Sequence, residues 1–169
     1  MKTYIGIDNG STGSIGIIDH LGKKDFFNIP IHIEQNYTKT KQNITRIDFL
    51  EFSNILHEIK TIRCFNYECL ALLERPMVNP KRFHATTSAL RALESTLIAL
   101  ELHNIAFQYI DSKQWQKQML PQGIKGSDEQ KKASLDMGIR LFPEFKNEII
   151  EHKDADGILI AEWARRNNL

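Results

Sequence analysis

Residues 3–19, Thr3-Tyr4-Ile5-Gly6-Ile7-Asp8-Asn9-Gly10-Ser11-Thr12-Gly13-Ser14-Ile15-Gly16-Ile17-Ile18-Asp19, decide how the rest of the chain is read. Thr3 to Asp8 is short, rich in β-formers and stopped by the turn cluster Asn9-Gly10-Ser11-Thr12-Gly13. Ser14 to Asp19 runs back as a second strand, and His20-Leu21-Gly22 turns it into a third, about Lys23 to Ile29. Pro30 closes this meander.

Beyond the meander, Glu34 to Arg46 is polar, Lys-rich and without period, and reads as an exposed excursion. Helical spacing begins at Asp48, an N-cap residue type, with Phe49, Phe52, Ile55, Leu56 and Ile59 on one stripe. Cys69 to Glu74 is a continuous apolar run, which suits a strand buried on both faces. Thr86 to His103 is a long apolar-rich helix and Ile105 to Ile110 a fifth strand. Asp111 with Gln114, and Ser127 with Gln130, stand at capping-box spacing ahead of two more helices, the second running to Leu141. A last helix covers about Ala155 to Arg166. The order β-β-β-α-β-α-β-α-α-α predicts an α/β fold with a five-stranded mixed sheet, its first three strands antiparallel and the later ones parallel, and helices on both faces. Without internal repeats or low-complexity segments, residues 1–169 read as a single domain.

Composition narrows the function classes. The 169 residues are 41% hydrophobic and 25% charged, enough apolar material for a packed core. Lys plus Arg is 22 against 21 for Asp plus Glu, a net charge of +1 that argues against a histone-like or tail-type binder. It leaves room for a basic face, because net charge hides distribution. No apolar run approaches the roughly 18–20 residues of a membrane helix. The first residues run directly into a strand, so no signal peptide is expected. Cys64 and Cys69 are too few for a disulfide scaffold or a four-ligand zinc site. They are expected to be free thiols, with a reducing cytoplasm as the location.

Three acids stand out by position. Asp8 ends the first strand, Glu74 ends the buried fourth strand, and Asp156 opens the last helix with Asp154 and His152 just before it. Alone, Asp8 reads as a turn cap and Asp156 as a first-turn acid favoured by the helix dipole. A carboxylate ending an apolar run such as Leu70-Ala71-Leu72-Leu73-Glu74 is costly unless something neutralises it. If the first and fourth strands are neighbours, these acids form a cluster of hard oxygen ligands suited to Mg²⁺, with Mn²⁺ able to substitute. Two such ions about 4 Å apart clamp the attacking and leaving oxygens of a phosphoryl displacement.

These residues resemble the RuvC-type Holliday junction resolvases of the RNase H-like superfamily. Ile5-Gly6-Ile7-Asp8-Asn9-Gly10-Ser11 with Thr12-Gly13 and Gly16 is similar to the family's first-strand motif, in which Pro is usual where Asn9 stands. Leu72-Leu73-Glu74 resembles the strand with the second acid. Ser112 to Trp115, Gly126, Lys131, Lys132 and Arg140-Leu141-Phe142-Pro143 resemble the run before the last helix, and Asp154-Ala155-Asp156-Gly157-Ile158-Leu159-Ile160-Ala161 the closing Asp-rich motif. The compressed ending is closest to phage-type members. The resemblance implies an RNase H-like fold and a homodimeric, Mg²⁺-dependent endonuclease that nicks four-way DNA junctions in recombination and repair, leaving 5′-phosphate and 3′-hydroxyl ends. It implies Asp8, Glu74 and Asp156 as catalytic metal ligands, with Asp154 or His152 as the fourth group.

Residues 75–93 hold no acid but four bases, Arg75, Lys81, Arg82 and Arg91, and adjoin Glu74. They are candidate phosphate contacts, with Phe83 and His84 as stacking groups. A second basic set, Lys113, Lys117, Lys125, Lys131 and Lys132, lies in the later loop and helices. The stretch Lys39, Lys41, Arg46 is a third, equally readable as a solvated face. Three rivals fit part of the pattern: an RNA-processing nuclease of the same superfamily, an actin-like nucleotide-binding protein, and a catalytically silent junction-binding module. The second lacks support here, since the chain is short and has no second Asp-x-Gly-Gly loop.

Overall fold

The apolar runs at the head and middle of the chain become neighbours in one sheet. The protein is described by a computed structural model covering residues 2–35, 39–65 and 67–169. Strands β1 (Lys2–Ile7), β2 (Ser14–Ile18) and β3 (Lys24–Asn28) form the antiparallel meander. A separate hairpin pairs β4 (Ile31–Gln35) with β5 (Asn43–Ile47). Strands β6 (Glu68–Glu74) and β7 (Ala106–Ile110) join the main sheet in parallel, giving the order β3-β2-β1-β6-β7. The helices are α1 (Phe49–Glu58), α2 (Phe83–Leu102), α3 (Ser112–Met119), α4 (Ser127–Leu141), α5 (Lys146–His152) and α6 (Asp156–Arg166).

Strand alternation sorts the sheet into two apolar faces. Ile5, Ile7, Ile15, Ile17, Ala71 and Leu73 pack with Phe52 and Leu56 of α1 and with Ala99 and Leu100 of α2. Tyr4, Ile18, Leu70 and Leu72 pack on the other face with Trp115 of α3 and Ile158, Leu159 and Ala161 of α6. Each fully buried Ile or Leu contributes about 1.5–3 kcal/mol, so stability concentrates in this doubly covered sheet. This is the mixed α/β sheet with helices on both faces that the element order predicts.

One detail of the sheet positions everything that follows. Gly6 and Gly16 are direct partners across β1 and β2, so the α6 face carries a notch without side chains. Helix α6 lies in it: a Cβ on Gly6 would stand 2.1 Å from the Gly157 carbonyl oxygen, and one on Gly16 would stand 2.1 Å from the Ile158 Cα. Gly157 completes the fit, since a Cβ there would meet the Ser14 carbonyl oxygen at 2.6 Å.

Several expectations are corrected. The excursion from Glu34 to Arg46 is exposed but not without structure: residues 34–35 and 43–46 belong to the β4–β5 hairpin, where Arg46 donates to Glu34 at 2.8 Å, and residues 36–38 lie outside the described residues. Ile31 and Ile33, which alternate just ahead of that stretch, face solvent. Cys64 and Cys69 are joined as a disulfide rather than free, because the turn between α1 and β6 brings their Cα atoms to 5.8 Å. The capping box forms at Asp111 and Gln114 but not at Ser127 and Gln130. There Gly126 is the N-cap, at φ +95°, and Ser127 is already helical. Helix α5 was not expected, since Ile149 is its one buried residue and supplies no period. No helix among the described residues is long and apolar enough to cross a membrane.

Candidate metal centre

The parallel register pairs Ile7 with Leu73, so one further step sets Asp8 beside Glu74 at the carboxyl ends of β1 and β6. Alternation aims both toward the α6 face, the side of Gly6 and Leu72. The glycine notch fixes the first turn of α6 against the same strand ends, and this carries in Asp154 and Asp156. Carboxylate oxygens of Asp8, Asp154 and Asp156 lie within 4.8 Å of one another. Glu74 stands outside that trio, near enough that its charge and those of Asp8, Asp154 and Asp156 repel.

Buried donors hold these acids. The Trp115 Nε1–H donates to Glu74 Oε2 at 2.8 Å. The Ser134 hydroxyl on α4 donates to Asp156 Oδ1 and accepts from the Ala155 N–H at 3.0 Å. The Gly157 N–H donates to Ser14 Oγ at 3.1 Å. Helix α6 has no side-chain cap of its own at Ala155. Two of its N-terminal N–H groups are met instead by serines from β2 and α4, which ties the helix start to the sheet and to α4. Asn9 anchors the loop after Asp8: its Oδ1 accepts from Thr96 on α2 at 3.0 Å. His152 lies beneath Asp154, with Nε2 3.3 Å from Asp154 Oδ1 but without hydrogen-bond geometry.

Burial and crowded like charges dominate the electrostatics here. Burial raises the Asp8 carboxyl well above its ordinary range, and the charges of Asp156, Glu74 and Asp154 push it further. Glu74 is raised to about 7, mainly by burial, against the lowering effect of the Trp115 hydrogen bond. Asp156 is raised to about 6 by burial and by Asp154. No Lys or Arg forms an ion pair with any of these acids among the described residues. Lys131 acts at longer range, lowering Asp8 and Asp156. The donor set is all oxygen, and its members repel unless a divalent cation joins them, so the residues fit Mg²⁺ or Mn²⁺.

A stability prediction follows for the metal-free protein. Between the ordinary carboxylate range near 4 and the raised values of 6 to 7, the native state holds more protons than the unfolded chain. Stability therefore falls as pH rises through that window. Glu74 alone accounts for roughly 3 kcal/mol, which corresponds to a drop in Tm on the order of 10 °C from pH 4.5 to pH 8. Calorimetric scans in chelator should show this fall, and excess Mg²⁺ should remove most of it; a flat profile in chelator would remove the acids' mutual repulsion from the account.

Of the basic candidates, Arg75 and Arg82 share a cleft of about 310 Å³ with Asp8, Asn9 and Glu74. Arg75 is exposed, 3.6 Å from Asp111 and over the Tyr109 ring. Lys81 and Phe83 are exposed at the start of α2, Phe83 by 70%. Arg91 lies elsewhere, in a groove of about 410 Å³ between α2 and the β4–β5 hairpin. Lys117 lines a third cleft with Lys113. Lys125 and Lys132 are exposed and make no hydrogen bond or ion pair with the acids among the described residues. Reading the sequence missed Trp115, Ser134, Ser14 and Asn9 as members of the centre. The spacing Lys131, Ser134, Gly138 on one face of α4 was the available signal, since Gly138 meets Ala155 and Ser134 meets Asp156.

No protein-family model and no curated protein matches the sequence. Among solved structures, Thermus thermophilus RuvC in complex with a Holliday junction substrate aligns with a TM-score of 0.53 at 15% identity, covering 98% of this chain and 94% of that one. A second Thermus thermophilus RuvC structure aligns with a TM-score of 0.46 at 14% identity, over 98% and 96%. The first likeness shows the fold: an RNase H-like α/β fold of RuvC-like topology.

Proposed function

We propose that the chain is a metal-dependent, structure-selective endonuclease, one nuclease domain over residues 1–169, that acts as a homodimer on four-way or branched DNA junctions. The observation that carries this is the meeting of Asp8, Asp154 and Asp156 within 4.8 Å, with Glu74 at the next strand end, on a fold shared with a protein solved with a Holliday junction. Asp8, Asp154, Asp156 and Glu74 would hold Mg²⁺. Bound there, a divalent ion supplies a Lewis acid for the phosphate and lowers the pKa of a water nucleophile. Asp154 is the better fourth ligand than His152, because it belongs to the oxygen trio while His152 sits behind it. The compressed ending Asp154-Ala155-Asp156 carries the phage-type reading, with recombination and repair as the role.

The chain's other residues bind and orient. Arg75 and Arg82 meet phosphates where the cleft opens beside Asp8 and Glu74. Lys131 adds positive potential over the acids. Exposed Phe83 offers a stacking surface beside Arg82, and Lys81, Arg91, Lys117, Lys125 and Lys132 extend the footprint across neighbouring faces.

Incubation with four-way junction, flap, duplex and RNA substrates, with and without Mg²⁺, tests the proposal. Metal-dependent junction nicking is expected. Cleavage of RNA alone would favour the RNA-processing alternative, and nucleotide binding by calorimetry the actin-like one. Arg75→Ala and Arg82→Ala should each weaken junction binding and reduce the slope of log affinity against log salt by about 1. Unchanged slopes would take these two residues off the DNA path.

A further inference from the structure

We infer that Trp115 and Ser134 are positioning residues of the metal centre: each takes one carboxylate oxygen of an acid from within the core and leaves the other for the cation. The inference rests on the metal-binding reading above and concerns how the ligands are aimed. Trp115 is fully buried on α3, within the apolar cluster on the α6 face. A residue needed only to fill that space could be wholly apolar. Its single polar atom instead donates to Glu74 Oε2 at 2.8 Å. Indole is a donor only, so this contact suits the ionised carboxylate, and among the described residues Glu74 Oε1 has no hydrogen bond.

Ser134, 1% exposed, works the same way on Asp156. Its oxygen already accepts from the Ala155 N–H, so its one proton goes to Asp156 Oδ1. Asp156 Oδ2 has no hydrogen bond among the described residues. Two acids from different elements, β6 and α6, are thus each pinned at one oxygen by a buried donor from a third and a fourth element, α3 and α4. Locking both carboxylate planes before the cation arrives removes rotamer freedom that binding would otherwise have to freeze.

The test is direct binding of Mn²⁺ alone, by calorimetry, to the parent protein, Trp115→Phe, Ser134→Ala and Glu74→Gln. Trp115→Phe keeps an aromatic ring in the core and removes the N–H. Loss of an outer partner of this kind typically weakens metal binding about 10–100-fold, and that loss is expected for Trp115→Phe and Ser134→Ala, with Glu74→Gln losing more. Parent-like affinity in both donor variants, with Glu74→Gln impaired, would overturn the positioning role and leave the metal centre standing. A parent that binds no Mn²⁺ would overturn both. A second readout uses the unaltered core: in ¹⁵N-labelled protein the Trp115 indole N–H resonance should shift along a Mg²⁺ titration. The Trp163 indole, whose Nε1 has no hydrogen-bond partner among the described residues, serves as the internal reference and should not move. A Trp115 resonance that stays fixed while Mg²⁺ saturates would overturn the inference.

Discussion

Asp8→Asn should lower metal-dependent junction nicking by about 10³-fold or more, since the several kcal/mol that a bound metal contributes correspond to at least three decades in rate. The same substitution should raise the Tm of the metal-free protein at pH 8. The Asp8 charge is opposed on several sides: burial disfavours it first, and Asp156, Glu74 and Asp154 add to that. Asn keeps the shape and size of the side chain but has no charge for its neighbours to repel. Activity and stability therefore move in opposite directions, which a folding defect cannot produce. Junction binding should survive, because Arg75 and Arg82 meet the cleft independently of Asp8. Nicking assays, gel shifts and thermal scans on one preparation decide the matter. Retained nicking would remove Asp8 from the centre, and a lowered Tm would mean that its contacts matter more than its charge.

What could be read from sequence follows from the range of the interactions involved. The strands of the meander and the buried strand Glu68–Glu74 carry their own signal, in β-formers and turn residues a few positions apart. Asp8 and Glu74 were therefore visible as strand-end acids. The groups that hold the acids and the start of α6 were not, because each contact joins distant parts of the chain: Trp115 donates to Glu74 across 41 residues, and the Gly157 N–H donates to Ser14 across 143. Ser134 is marked only by its spacing with Lys131 and Gly138 on one face of α4, which does not say that it closes the start of α6. The hairpin β4–β5 was missed for a different reason. It pairs only with itself and leaves Ile33 in solvent, so the expected link between apolar alternation and burial fails. The disulfide between Cys64 and Cys69 is local in sequence, but the turn that brings the two residues together has no periodicity to reveal it.

The glycine notch makes the sharpest structural prediction. Gly6→Ala adds one methyl group, ordinarily a mild change in a strand. Here that carbon would lie 2.1 Å from the Gly157 carbonyl oxygen and 2.5 Å from the Ala161 nitrogen, both backbone atoms that no rotamer change can move. Relief requires α6 to lift from β1 and β2, which uncovers Ile158, Leu159 and Ala161, all fully buried. The cost should lie at or above the upper end for overpacked cores, about 3 kcal/mol, with Tm falling by about 6–12 °C. Activity should fall further than stability suggests, because lifting α6 carries Asp154 and Asp156 away from Asp8, and a displacement of about 1 Å in such a constellation costs about 10²-fold. Gly10→Ala is the control: its added carbon would have its nearest neighbour at 3.9 Å, in ordinary contact, so stability should change by less than about 0.5 kcal/mol. Thermal scans of the two variants, with nicking measured well below either Tm, separate a loss of folded protein from a displaced site. If Gly6→Ala melts with the parent and cleaves with it, the close seat of α6 on the sheet is not what brings these carboxylates together.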